Sequence, residues 1–444
     1  MKLNRSTRRS IACALLIVAL AAAAPPAARA QLDFDRAPIN YASAVTDDRV
    51  ARLQKRLDAG EVRLEYEEGR GYLRSVLREL GVPVSSQMLV FSKTSFQLRR
   101  ISPRAPRALY FSDDVYVGWV QNGDVMEVTA VDPEQGAVFY TLQQEDVEQP
   151  KFVRDRGNCL SCHASARTQG VPGHVVRSVY PAADGQPHFG SGTFNTDQSS
   201  PLKERWGGWY VTGTHGEQRH MGNAISHDRD RPELLDMERG ANLTELTGRI
   251  RTKAYLTPHS DIVALMVLEH QTTMHNLITR ANYETRIVNH DARIMNRVLE
   301  RPEDFVSEAG QRRIRTACEK LLEYLLFVDE AELTDPIEGT SGFAAEFESL
   351  GPRDAKGRSL RELDLSRRMM KYPCSYLIYS EAFNKLPEVV KTHLYDRLWE
   401  VLQGEDTSEE FAHLSPGDRR AISEILRDTK PDLAAHWQRR SAQR

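Results

Sequence analysis

The residue types best able to do chemistry in this chain are gathered in Cys159-Leu160-Ser161-Cys162-His163. Two thiols three residues apart, with a histidine directly after the second, make the C-x-x-C-H spacing at which a c-type haem is attached. The spacing has a chemical reason. Each thiol forms a thioether to one vinyl group of the porphyrin, and the histidine is then held under the iron as its proximal ligand. Other uses of a cysteine pair fit less well. Zinc requires two further ligands in good geometry, and the chain has no second C-x-x-C. A thioredoxin-like pair requires a βαβ setting that the flanks do not offer. The sequence therefore predicts one covalent haem c on Cys159 and Cys162, with His163 as the proximal iron ligand.

What such a haem does turns on the other face of the iron. A methionine there raises the potential, a histidine lowers it, and an open position permits catalysis. Two clusters offer ligands. Thr214-His215-Gly216-Glu217-Gln218-Arg219-His220-Met221 is a glycine-flanked turn able to swing His215, His220 or Met221 over a haem. Glu269-His270 and Met274-His275 lie on a helical stretch, where His270 and Met274, four apart, share a face. That face continues through Val263, Met266 and Leu277, so an apolar core stripe explains both residues without iron. The distal ligand is thus expected among Met221, His220, His215, His270 and Met274, with the turn cluster preferred. His174 could be distal or could bond a haem carboxylate. Arg154, Arg156, Arg167 and Arg177 crowd the motif, and one or two suit haem propionates because guanidinium meets carboxylate in bidentate geometry. Trp206, Trp209 and Tyr210 read as core.

These residues need a scaffold, and the chain supplies one after an export signal. Lys2, Arg5, Arg8 and Arg9 precede an apolar run from Ile11 to Ala24, and Ala28-Arg29-Ala30 has the small-x-small form of a cleavage site. Export by the general secretory route, with cleavage near Ala30, is expected, which makes the protein periplasmic or otherwise exported. Without Met1–Ala30 the acidic residues outnumber the basic, which argues against nucleic acid. No later stretch is long and apolar enough to span a bilayer, so no membrane span is expected in the mature chain. Cys318 and Cys374 are left as either a disulfide or two buried thiols.

The expected fold is α+β, a β-rich N-terminal and haem-bearing half followed by a mainly helical C-terminal region. Residues 31–150 read as an α+β scaffold. Helices are expected at Asp47–Leu57 and Tyr66–Leu80, then a meander of Val115–Val120, Val125–Val131 and Ala137–Leu142 with Asn122-Gly123 as the first turn. Residues 151–257 carry the motif and short strands, including Val175–Tyr180. Residues 258–444 are helical, led by a run from Ser260 or Asp261 to about Leu299 that contains no Gly or Pro and is long enough that a bend is expected. Helices at about Ala309–Val328, Cys374–Asn384, Pro387–Leu402 and Pro416–Thr429 follow, around a loop-rich stretch from Thr334 to Lys371.

Over residues 151–175 the chain resembles a periplasmic c-type cytochrome. As a whole it is similar to long, single-haem bacterial cytochrome c-like proteins rather than to the small, mostly helical class I cytochromes. The resemblance implies haem, electron transfer, export and a redox partner protein, but no substrate. A haem-dependent oxidoreductase is the alternative, since the chain far exceeds what shielding one haem requires. With a single C-x-x-C-H, metal analysis of the purified protein is expected to give about one iron per chain; two would assign His270, Met274 and His275 to a separate metal site.

Overall fold

Turn chemistry and capping decide most of the architecture. The computed structural model describes residues 33–442, so the export signal predicted at Met1–Ala30 lies outside the described residues. The described chain is α+β, an antiparallel sheet region followed by a mainly helical one. Helix α1 (Arg49–Asp58) starts where the Asp48 carboxylate accepts the Val50 and Ala51 N–H groups. Helix α2 (Leu73–Leu80) stops at Gly81, which takes the left-handed conformation (φ 63°). The helix predicted from Tyr66 begins only at Leu73. Gly69 and Gly71 take positive φ and fold residues 67–71 into a turn closed by Glu67 and Gly71, which no helix can pass through.

Six strands then pair with their neighbours in chain order: β1 (Met88–Val90), β2 (Arg107–Phe111), β3 (Val115–Trp119), β4 (Val125–Asp132), β5 (Gly136–Gln143) and β6 (Phe152–Arg154). Asn122 turns the chain at positive φ (55°) between β3 and β4, where the hairpin was expected. The Asp132 carboxylate accepts the N–H groups of Glu134 and Gln135 and shapes the next turn. Beyond β6 come the short helix α3 (Leu160–His163), a separate hairpin of β7 (Val176–Val179) and β8 (Thr193–Thr196), and β9 (Trp209–Tyr210). Strand β9 adds to the free edge of β1, giving the sheet order β6-β5-β4-β3-β2-β1-β9. The segment carrying the motif thus contributes β6 and β9 to the sheet of the preceding scaffold.

Helix α4 (Ile262–Val298) runs for 37 residues without interruption and crosses the sheet. Gln271 reaches the Tyr116 hydroxyl of β3, and the Tyr283 hydroxyl donates to Gln135 O. Packed beyond it are α5 (Glu308–Leu325), α6 (Phe343–Ser349), α7 (Glu381–Asn384), α8 (Glu388–Leu402), α9 (Pro416–Thr429) and α10 (Pro431–Ala442). Three details differ from the sequence reading. The stretch expected to be loop holds α6. The helix expected over Cys374–Asn384 divides into a 3-10 turn (Tyr376–Tyr379) and α7, because the Ser380 hydroxyl accepts the Phe383 N–H and starts a new helix. Helix α10, opened by Pro431 and buried through Leu433 and Trp437, was not foreseen. Cys318 and Cys374 are free, buried thiols. Among the described residues no helix is long and apolar enough to cross a membrane.

Asp261 joins the two halves. One carboxylate oxygen caps α4 by accepting from Val263 and Ala264, and the other accepts the Thr340 and Ser341 N–H groups at 2.7 and 2.8 Å. Asp261 is 1% exposed and Val263 and Ala264 are buried, so water does not replace the carboxylate at the start of α4. Asp261→Ala is expected to cost roughly 3 kcal/mol in chemical denaturation; a loss under about 1 kcal/mol would show that the carboxylate does not organise this junction.

Candidate functional site

The motif is placed by its own local hydrogen bonds. The Asp155 carboxylate accepts the N–H groups of Gly157 and Cys159 at 3.0 and 2.9 Å, so the turn into α3 is fixed before the first cysteine. Cys159 is half-buried, while Cys162 is exposed, and neither is in a disulfide. Burial, reinforced by the Asp155 carboxylate, pushes the Cys159 thiol up to about 12. His163 and Gly173 then bond reciprocally. Gly173 N–H donates to His163 O at 2.9 Å, and His163 Nδ1 bonds Gly173 O at 3.0 Å. A backbone carbonyl only accepts, so the proton sits on Nδ1 and Nε2 is left as an unprotonated donor atom. Burial holds the ring below its ordinary pKa, in the neutral form that binds metals.

The loop bearing Gly173 is clamped from helix α4. Asn276 accepts the His174 N–H at 2.9 Å and donates to His174 O at 2.7 Å. A side chain at position 173 would collide with the Asn276 amide, so glycine is needed for the approach. This clamp was invisible in the sequence, where Asn276 is one polar residue among many on a helix.

Cys159, Cys162, His163 and His174 all open into one cavity of about 450 Å³, within the range that takes a cofactor-sized ligand. Its floor is the sheet face formed by alternate residues of neighbouring strands. In register across it stand Thr141, Glu127, Gly118, Leu109 and Met88. Phe139 lies against His163 with ring centres 4.9 Å apart, and Tyr116 against His174 at 4.2 Å. Both ring nitrogens of His174 are buried without a partner, and burial drives its pKa well down. Buried polar atoms are rarely left unpaired, and such orphans mark a place where something else binds.

The five expected distal residues are elsewhere; none lines this cavity. Both nitrogens of His215 are engaged, Nδ1 with Gln218 O and Nε2 with the Asn242 N–H. His220 packs edge-on to Trp206 at 5.2 Å, and the Met221 sulfur accepts from the Ser178 hydroxyl at 3.5 Å. His270 is held between Gln198 Oε1 and Ser375 Oγ at 2.6 and 2.7 Å, and Met274 is fully buried in the core. Neighbouring Glu269 is ion-paired with buried Arg205, and His275 bonds Asp113 O. None of the four arginines near the motif lines the cavity. Arg154 donates to Tyr41 O and Ala44 O, Arg156 and Arg167 are exposed, and Arg177 reaches Thr193. Trp206 is fully buried core, while Trp209 is a cavity wall.

The structure brings other residues in their place. Met88 on β1 is a fully buried thioether lining the cavity. Arg107 on β2 and Glu127 on β4 form an ion pair of 2.6 Å across Gly118. One signal for the pair was present: Glu127 is the lone charge inside the strand pattern Val125-Met126-Glu127-Val128. Among the described residues no three His, Cys, Asp or Glu side chains are disposed to hold a bare metal ion. No family model, no curated protein and no solved structure matches the chain.

Asn276→Leu leaves the His174 N–H and C=O buried and unpaired. The variant is expected to lose roughly 2–4 kcal/mol of unfolding free energy. Stability within about 0.5 kcal/mol of wild type in a denaturant titration would show that the clamp does not hold the loop.

Proposed function

We propose that the chain is an exported c-type cytochrome carrying one haem, bound through Cys159 and Cys162 with His163 on the iron, and moving electrons in the periplasm. The observation that carries the reading is the convergence of the C-x-x-C-H motif on a cavity of about 450 Å³ with His163 Nδ1 already spent on Gly173 O. The donor set suits a haem: two thiols for the vinyl groups, one neutral imidazole with Nε2 free, and apolar walls such as Phe139 and Leu268. Among the described residues a bare zinc ion finds no comparable ligand group.

When bound, the haem supplies a one-electron iron couple tuned by its axial ligands and surroundings. The chain's own part is to orient His163, exclude water with the sheet and α4, and keep one edge of the cavity near solvent. Exposed Cys162 marks that edge, where a redox partner protein could exchange electrons.

Of the side chains lining the cavity, Met88 and His174, whose ring nitrogens are both unpartnered, would be the candidates for a protein-derived sixth ligand. The second reading, a haem-dependent oxidoreductase, is favoured by the Arg107–Glu127 pair in the same cavity.

Haem is expected to stay with the polypeptide through denaturation and acidic organic extraction, and Cys159→Ala/Cys162→Ala is expected to lose it. Free extraction of wild-type haem, or covalent haem in the double variant, would refute the reading. A low-spin ferric spectrum favours the carrier, and a high-spin one the oxidoreductase.

A further inference from the structure

Covalent attachment and proximal ligation leave the Arg107–Glu127 pair of the cavity unexplained, as they do the unpartnered ring nitrogens of His174. Arg107 extends across β3 above Gly118, and any side chain at 118 would collide with its guanidinium. A glycine inside a strand often marks a place where a group must approach the sheet closely. Here it lets the guanidinium lie on the cavity floor and reach Glu127 at 2.6 Å, both side chains being 19% exposed. Ser95 Oγ and Gln97 Nε2 donate to the carboxylate at 3.1 and 3.2 Å and fix its position. Arg107 Nε is buried and has no partner.

Several other polar groups of the cavity are committed. The Tyr110 hydroxyl donates to Gln87 Oε1, that of Tyr140 to Asp48 Oδ2, and that of Tyr116 accepts from Gln271. Lys93 is paired with Asp184 and Asp155 holds the motif turn, whereas both ring nitrogens of His174 have no partner. The pair is also poorly matched to a haem propionate. Glu127 already neutralises Arg107, so a propionate there would place two carboxylates against one guanidinium. A neutral guest that releases a proton suits it better.

Resting on the haem reading above, we propose that Arg107 and Glu127 are the ligand-handling pair of an open haem face, and that the cavity takes small neutral weak acids, H–X. The H–X bond breaks with its electron pair remaining on X, and the proton forms an O–H bond on the Glu127 carboxylate. The Arg107 Nε–H, which has no partner, would hold the anion as a hydrogen-bond donor. No oxidant or reductant is needed for this step.

Hydrogen cyanide is the probe, and stopped-flow absorption of the ferric haem protein is the readout. Wild type is expected to bind it. Glu127→Gln, which keeps the shape and the hydrogen-bond acceptor but not the base, is expected to slow association roughly 100-fold. Arg107→Met is expected to weaken binding by at least about tenfold, through faster release of the anion. Haem content and the resting spectrum report folding in both variants, and Glu127→Gln carries the test if Arg107→Met does not fold. A wild-type haem that takes no cyanide overturns the proposal, since the face is then closed, with Met88 or His174 the candidate ligand. Variants that bind at wild-type rate and affinity while their redox potential shifts overturn it too, and assign the pair to a propionate. A wild-type chain without covalent haem overturns both this proposal and the reading beneath it, and is told apart because the visible spectrum shows it before any titration.

Discussion

The orientation of one imidazole depends on one backbone carbonyl. His163 can present Nε2 to the cavity because Nδ1 is bonded to Gly173 O, and much of the surrounding structure keeps that oxygen in place. Gly173 N–H returns a bond to His163 O, Asn276 grips the next peptide from both sides, and the buried Thr168 hydroxyl donates to Val171 O. Each bond contributes on the order of 1 kcal/mol net. Their joint effect is geometric, since a ligand histidine is useful only when the hydrogen bond at its other nitrogen fixes the tautomer and the ring plane.

The size of the protein becomes intelligible from this constraint. Asn276 lies on α4, and α4 is itself located by Asp261, by Gln271 on Tyr116 and by Tyr283 on Gln135. A four-residue helix such as α3 cannot hold a cofactor on its own, because one turn has too few internal bonds to be stable. The sheet supplies a rigid floor, and the long helix closes the cavity above it with Leu268 and Thr272. The remaining helices bury the outer face of α4 in one continuous core, which includes Leu321, Leu322 and Phe383.

Local chemistry made the elements legible, and distance hid the site. Asn122-Gly123, Gly81 and Asp261 act through bonds to their nearest neighbours, so their turn, stop and cap could be read from sequence. Gly69 and Gly71 carry the same kind of local signal, and their positive φ holds the start of α2 back from Tyr66 to Leu73. Which side chains share the cavity is a different matter. Met88, Arg107, Gly118 and Glu127 come together through the register of four strands, and no single segment records that. His270 and Met274 show the converse. Their four-residue spacing suits a ligand pair, but it suits a core stripe equally, and Gln198 and Ser375, which occupy the His270 ring, lie 72 and 105 residues away. The reading proposed for Cys159, Cys162 and His163 could be drawn from the sequence because covalent attachment would require its residues to be adjacent.

The central claim is that these three residues together hold one haem, and mass spectrometry of the exported protein tests it most directly. A proteolytic peptide spanning Cys159 to His163 should carry the added mass of one haem, with both cysteines resistant to alkylation. The same peptide recovered without added mass, with its thiols free or joined to each other in a disulfide, would contradict the account.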